Sequence, residues 1–251
     1  MATYKVVEGT VFGNQSGGGL NLGETIELKQ LFNWKELFGW EAKNKYMAQS
    51  LPDGKEFFVS ETGEPDCHRQ CCGPSREWNL SVYSGPGSEY PEVLKMTKPQ
   101  ESCIGCCGRE PTPCCADKVL TVSTPSGSKI ATASQGCCIC CTYDIKVSIM
   151  DEPKYTITGS HCQTGMCCPC FADAEFLITD ADDEPTAGSV VRPQLTLGEM
   201  CGKTNRIRIE YPEDISQADK TGILGGAMLF DILEEIREQA NENNNSGGGG
   251  N

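Results

Sequence analysis

Thr221-Gly222-Ile223-Leu224-Gly225-Gly226-Ala227-Met228-Leu229-Phe230-Asp231-Ile232-Leu233 reads as a helix that is apolar on nearly every side. Ser216 is placed to cap it, and Glu234-Glu235-Ile236-Arg237-Glu238 returns the chain to charge at the far end. A helix without a polar face must be surrounded. A bilayer core about 30 Å thick takes about 20 apolar residues, whereas this stretch reaches about 20 Å at 1.5 Å per residue and carries Asp231. The surroundings are therefore predicted to be protein. Gly222, Gly225 and Gly226 lack side chains and would let neighbouring strands approach the helix backbone closely.

Upstream of the helix, short apolar-alternating runs at 56–60, 78–83, 92–97, 118–123, 143–150, 155–158, 175–179 and 206–211 are separated by turn residues. Ile145, Val147 and Ile149, and again Ile207 and Ile209, repeat with period two, as strands with one buried face do. Their number and spacing predict a sandwich or a barrel. The stretch 26–47 is ambiguous, because Leu28, Leu31, Trp34 and Leu37 also fit helical spacing. The expected organisation is a partly irregular segment over 1–25, one domain over 26–238 with its helix near 217–238, and a disordered Asn/Gly-rich tail over 239–251.

A net charge of −14 without a Lys/Arg cluster argues against nucleic acid, whose binding rests on neutralising phosphates. Lys203, Arg206 and Arg208 are the nearest approach to a basic patch for anionic lipid. The 17 cysteines are an odd number, and the opening Met1-Ala2-Thr3-Tyr4-Lys5 does not read as a secretory signal. The chain is expected in a reducing compartment, not secreted, with its thiols free, metal-bound or acylated. No myristoylation or prenylation signature is present, so lipidation would fall to cysteine. Zinc is the rival use: Cys103 with Cys106, and Cys167 with Cys170, have Cys-x-x-Cys spacing, and Cys137, Cys138, Cys140 and Cys141 crowd four thiols together. Bond-making catalysis finds no motif, since His68 and His161 are the only histidines and neither a nucleophile elbow nor a phosphate-binding glycine loop occurs.

Arg69-Gln70-Cys71-Cys72-Gly73-Pro74-Ser75-Arg76 brings a family into view. It resembles the Arg-x-Cys-Cys-Gly-Pro-x-Arg signature of phospholipid scramblases. Leu28-Lys29-Gln30, Glu36-Leu37 and Asn44-Lys45-Tyr46 precede it, and Lys98-Pro99 then Cys103, Cys106, Cys107, Cys114 and Cys115 follow. Gly159-Ser160-His161-Cys162 with Cys167, Cys168, Glu175 and Phe176, then Ile209-Glu210-Tyr211-Pro212 and the closing helix, continue the likeness in order from about Ile26 to Glu235.

The resemblance implies a mainly β, tubby-like fold: a closed antiparallel barrel of about twelve strands enclosing the C-terminal helix. Ile223, Met228, Leu229, Phe230 and Leu233 would then be core. It also implies ATP-independent, bidirectional movement of phospholipid between leaflets, at the cytosolic face of a membrane such as the plasma membrane. Cys106, Cys107, Cys114 and Cys115 match the stretch that is palmitoylated in similar proteins, and two or more acyl chains are needed for stable anchoring.

Calcium is where the chain departs from this family. Lys203 and Asn205 replace the acids of the family's calcium segment, Arg206 and Arg208 add positive charge, and Asn205, Glu213 and Asp214 remain as the degenerate ligand set. Calcium is therefore doubtful, and the acidic stretch 180–184 reads as a solvated turn. Two other readings stand beside transport: a lipid- or protein-binding module that kept the barrel, and a structural component of a larger assembly.

Overall fold

The computed structural model describes residues 20–31, 43–63, 76–100, 118–135, 142–201 and 204–246. Twelve strands build one sheet: β1 (Thr25–Gln30), β2 (Lys45–Leu51), β3 (Glu56–Thr62), β4 (Trp78–Tyr83), β5 (Glu92–Lys98), β6 (Lys118–Ser123), β7 (Lys129–Gln135), β8 (Thr142–Ile149), β9 (Glu152–Ser160), β10 (Ala174–Thr179), β11 (Pro185–Arg192) and β12 (Arg206–Glu210). Each pairs antiparallel with its sequence neighbours, and β1 pairs with β12 through Ile26↔Ile209 and Leu28↔Ile207, closing a barrel. Closure leaves no unpaired edge. Among the described residues two short helices, α1 (Thr164–Cys167) and α2 (Leu197–Cys201), lie in connections, and α3 (Gln217–Ser246) is the long one.

The period-two reading of the sequence holds along β8, where Tyr143, Ile145, Val147 and Ile149 are buried while Thr142, Asp144 and Lys146 are exposed. These inward side chains meet α3, which is buried without interruption from Thr221 to Ile232. Burial of this kind removes apolar surface from water on all sides of the helix at once. Ile223, Met228, Leu229 and Phe230 are core residues, and Leu233 is partly buried against them.

The helix glycines sit where the wall comes closest. A Cβ on Gly225 would lie 2.5 Å from Val122 of β6, and one on Gly222 would lie 2.3 Å from Ile149 of β8. The helix begins in a reciprocal cap: Asp219 N donates to Ser216 Oγ at 3.2 Å, and Ser216 N donates to Asp219 Oδ2 at 3.1 Å. It continues to Ser246, past the boundary at 238 read from the sequence; adding residues to an existing helix avoids the cost of nucleating one. Among the described residues no helix is long and apolar enough to cross a membrane.

Because strand direction alternates, connections alternate between two mouths. The helix comes in at the lower mouth, beside the turns at 52–55, 84–91, 124–128, 150–151, 180–184 and 211–216. It leaves at the upper mouth, where the connections at 31–44, 63–77, 99–117, 136–141, 161–173 and 193–205 begin and end. All 17 cysteines fall in these upper connections.

Candidate functional site

Inward-pointing polar side chains at the upper mouth converge on the last buried turns of α3. Tyr46 of β2 donates its hydroxyl to Asp231 Oδ2 at 2.6 Å. Glu234, almost wholly enclosed, accepts from the Tyr143 hydroxyl of β8, from Arg192 Nη1 of β11 at 2.9 Å, and lies 3.3 Å from Arg237 Nη2. Glu235 accepts from Asn44 Nδ2 at 2.7 Å and pairs with Arg76 at 3.3 Å. Arg76 also lies 3.5 Å from Glu61 and stacks 3.8 Å above the Trp78 ring. Buried charges persist only when paired in this way, and removing one partner strands the other.

Burial sets the protonation of this ring. It raises the Asp231 carboxyl despite the Tyr46 hydrogen bond, and it raises Glu235 to about 7 against the opposing pull of Arg76. The phenols of Tyr46 and Tyr143 are pushed up by burial and by the neighbouring carboxylates, so both stay protonated as donors. His161 meets Arg237 Nη1 at 2.8 Å through Nδ1. A guanidinium can only donate, so Nδ1 accepts and the neutral ring carries its proton on Nε2. Burial and Arg237 accordingly lower the His161 pKa. The ring is a clasp that ties the helix to strands from around the barrel.

The residues singled out in the sequence are distributed unevenly over this frame. Arg76 is part of the clasp, whereas Arg69, Cys71, Cys72, Gly73 and Pro74 lie outside the described residues. So do Cys103, Cys106, Cys107, Cys114 and Cys115, the lipidation and first zinc candidates. Cys167 and Cys168 are exposed thiols at the upper mouth and Cys170 is half-buried beside them. Among the described residues no three His, Cys, Asp or Glu side chains converge as a metal site would require.

The calcium candidates are not brought together. Asn205 stands at the upper mouth, where its Oδ1 accepts from Arg192 Nη2 at 3.1 Å. Glu213 and Asp214 are exposed at the lower mouth, with β12 running between them and Asn205. A single ion needing six or more oxygen ligands does not fit such a set. The reading of 180–184 as a turn agrees with the structure, in which Asp182 N and Glu184 N both donate to Asp180 Oδ1.

The clasp residues Tyr46, Glu61, Tyr143 and Arg192 were not found by sequence reasoning. The available signal was position: Tyr46 and Tyr143 occupy inward places near the upper ends of β2 and β8, where the helix turns charged.

A family profile described as Scramblase matches residues 18–234. The chain is 26% identical over 201 residues to phospholipid scramblase 2 of Bos taurus, covering 77% of this chain and 61% of that protein. It is 26% identical to phospholipid scramblase 1 of Homo sapiens, over 77% of this chain and 57% of that protein. Human phospholipid scramblase 2 is 25% identical, over 84% of this chain and 65% of that protein. The chain thus spans roughly three fifths of the length of these relatives. No solved structure matches it.

Proposed function

The chain belongs to the scramblase family, and on that premise we propose that it is a phospholipid scramblase-like protein that engages phospholipid membranes from their cytosolic face, with the plasma membrane as the first candidate. The observation that carries this reading is the family match across residues 18–234, which takes in every strand and the buried part of α3. Transport of this kind makes and breaks no covalent bond. The protein lowers the cost of moving a polar head group through hydrocarbon. Acylation at Cys106, Cys107, Cys114 and Cys115 supplies the anchor, and two or more chains give residence that one does not.

The separation of Asn205 from Glu213 and Asp214 favours a second reading, in which the barrel is retained as a lipid- or protein-binding module and calcium-triggered transport is lost. Reconstitution decides between them. Purified protein in vesicles carrying a fluorescent phospholipid should expose the inner-leaflet label to dithionite faster than empty vesicles do. Bleaching that stops at the outer leaflet, with and without calcium, leaves the binding module. Metabolic labelling with an alkyne palmitate should be lost when Cys106, Cys107, Cys114 and Cys115 are replaced by alanine.

A further inference from the structure

The connection between β9 and β10 is a fixed turn. Gln163 Nε2 donates to Ser160 O at 3.1 Å and to Glu175 O at 2.7 Å, and Gln163 Oε1 accepts from Glu175 N at 2.8 Å. Leu195 N donates to Pro169 O at 2.8 Å, and Gln194 N donates to Asp173 Oδ1 at 2.6 Å, tying the turn to the neighbouring connection. Gly165 packs so closely under it that a Cβ there would lie 2.3 Å from Asp173 O. What this scaffold holds outward is unusual for a water-facing turn. The thiols of Cys167 and Cys168 are exposed, Cys170 is half-buried, and Phe171 is 77% exposed, the most exposed large apolar side chain among the described residues. Met200 and Leu31 are also exposed at the same mouth.

Among the described residues the two mouths also differ in charge. The lower mouth presents Asp180, Asp182, Asp183 and Glu184 on one turn and Glu213 and Asp214 on another. Among the described residues of its turns, Lys55 is the only cation. Anionic lipid repels such a surface. The described upper connections carry Glu77, Asp173 and Glu199 against Lys43, with Arg76 buried in the clasp, and so present fewer acids than the described lower turns. Exposed aromatic and apolar side chains beside acylatable thiols suit the boundary between head groups and acyl chains.

We propose that the Cys167–Phe171 turn is a second site of S-acylation and membrane insertion, so that the barrel sits end-on with its upper mouth toward the bilayer. This rests on the membrane-engaging reading above and adds to it the orientation of the barrel and the turn that inserts. The co-reactant is a long-chain acyl-coenzyme A. The thiolate of Cys167 or Cys168 attacks the thioester carbonyl carbon, a new S–C bond forms as the bond to the coenzyme A sulfur breaks, and coenzyme A leaves as a thiolate that takes up the proton released by the cysteine. Phe171 inserts beside the chain. With acyl groups on two connections, the barrel has two tethers at one end and cannot roll onto its acidic mouth.

The test uses full-length protein from a eukaryotic host, with hydroxylamine-sensitive thioesters mapped by peptide mass spectrometry and the membrane-bound fraction measured alongside. Acyl groups are expected on the peptide holding Cys167, Cys168 and Cys170. Replacing Cys167 and Cys168 by serine should lower the membrane-bound fraction several-fold at an unchanged melting temperature, because both side chains are exposed. Phe171→Ser should lower binding to phosphatidylserine-containing vesicles without changing acyl stoichiometry. Membrane-bound protein whose acyl groups lie elsewhere, with these three thiols free or holding zinc, overturns the second site and leaves membrane engagement standing. Protein with no acyl group anywhere and no vesicle binding overturns both.

Discussion

The two mouths of the barrel hold the same helix by different means. At the lower mouth α3 is secured near the surface, by the Ser216 and Asp219 cap and by Lys154, which pairs with Asp219 at 2.7 Å. At the upper mouth it is secured from within: Asp231 and Glu234 meet Tyr46, Tyr143 and Arg192 of β2, β8 and β11, and Glu235 meets Asn44 and Arg76, which stand just before β2 and β4. The lower end adds to its cap hydrogen bonds from Gln217 and Lys220 to the backbone of Leu22 and Gly23, whereas the charged helix turn inside the barrel is held by buried ionised partners from distant strands. The upper mouth is therefore the more expensive to disturb.

Glu234→Ala should cause the largest loss, since it leaves Arg192 and the Tyr143 hydroxyl without their shared acceptor. A cost of about 3–5 kcal/mol is expected, or roughly 10 °C in melting temperature by calorimetry. A loss no larger than that of a lower-mouth variant would erase the distinction. Between the mouths, Gly225→Ala drives a methyl group into Val122 and should cost about 1–3 kcal/mol by denaturant titration. An unchanged midpoint would show that β6 yields freely to the helix.

The third effect is a dependence on pH. Burial holds Glu235 at about 7 against an ordinary 4.5. Between those values the folded state keeps a proton that the unfolded chain has released, so stability falls as pH rises through the window and levels off above it. The lowered pKa of His161 acts in the opposite sense, removing stability as pH drops below 6.5. Glu235→Gln should reduce the loss between pH 5 and 8 in thermal melts, leaving the share in the same sense that the raised Asp231 and Glu238 carboxyls contribute, and leave the acid limb in place. A slope unchanged by the substitution would locate the titration elsewhere. Smallest of all, Asp219→Ala at the lower mouth removes a cap and should cost about 1 kcal/mol, read by the same melts.

The barrel was legible where its strands carry large alternating side chains. β8 announces itself through Tyr143, Ile145, Val147 and Ile149. β7 and β11 were not recognised. In β7 the inward residues include Ala131 and Ala133, small because the helix passes close by, and a Cβ on Gly222 would lie 3.3 Å from that of Ala131. In β11, Gly188 makes room for Pro212, with a Cβ there lying 2.6 Å from its Cδ. Tight packing thus removed the hydrophobic signal that marks a strand. The glycines and apolar girth of α3 were read correctly because they are local to one segment. The clasp was not, since Arg76, Tyr143, Arg192 and Glu234 come together only once the barrel has closed.

Closure has a further consequence for how the molecule is made. The seam joins Ile26 to Ile209, and the rod at the centre follows every strand in the order of synthesis. Sheet cannot settle around a core that has not yet left the ribosome, and contacts so far apart in sequence form slowly. Until the rod emerges, the inner faces of the strands stand bare. The nascent chain will depend on chaperones throughout that interval, and premature termination ahead of Gln217 will yield a species destined for aggregation or proteolysis, not a smaller working protein.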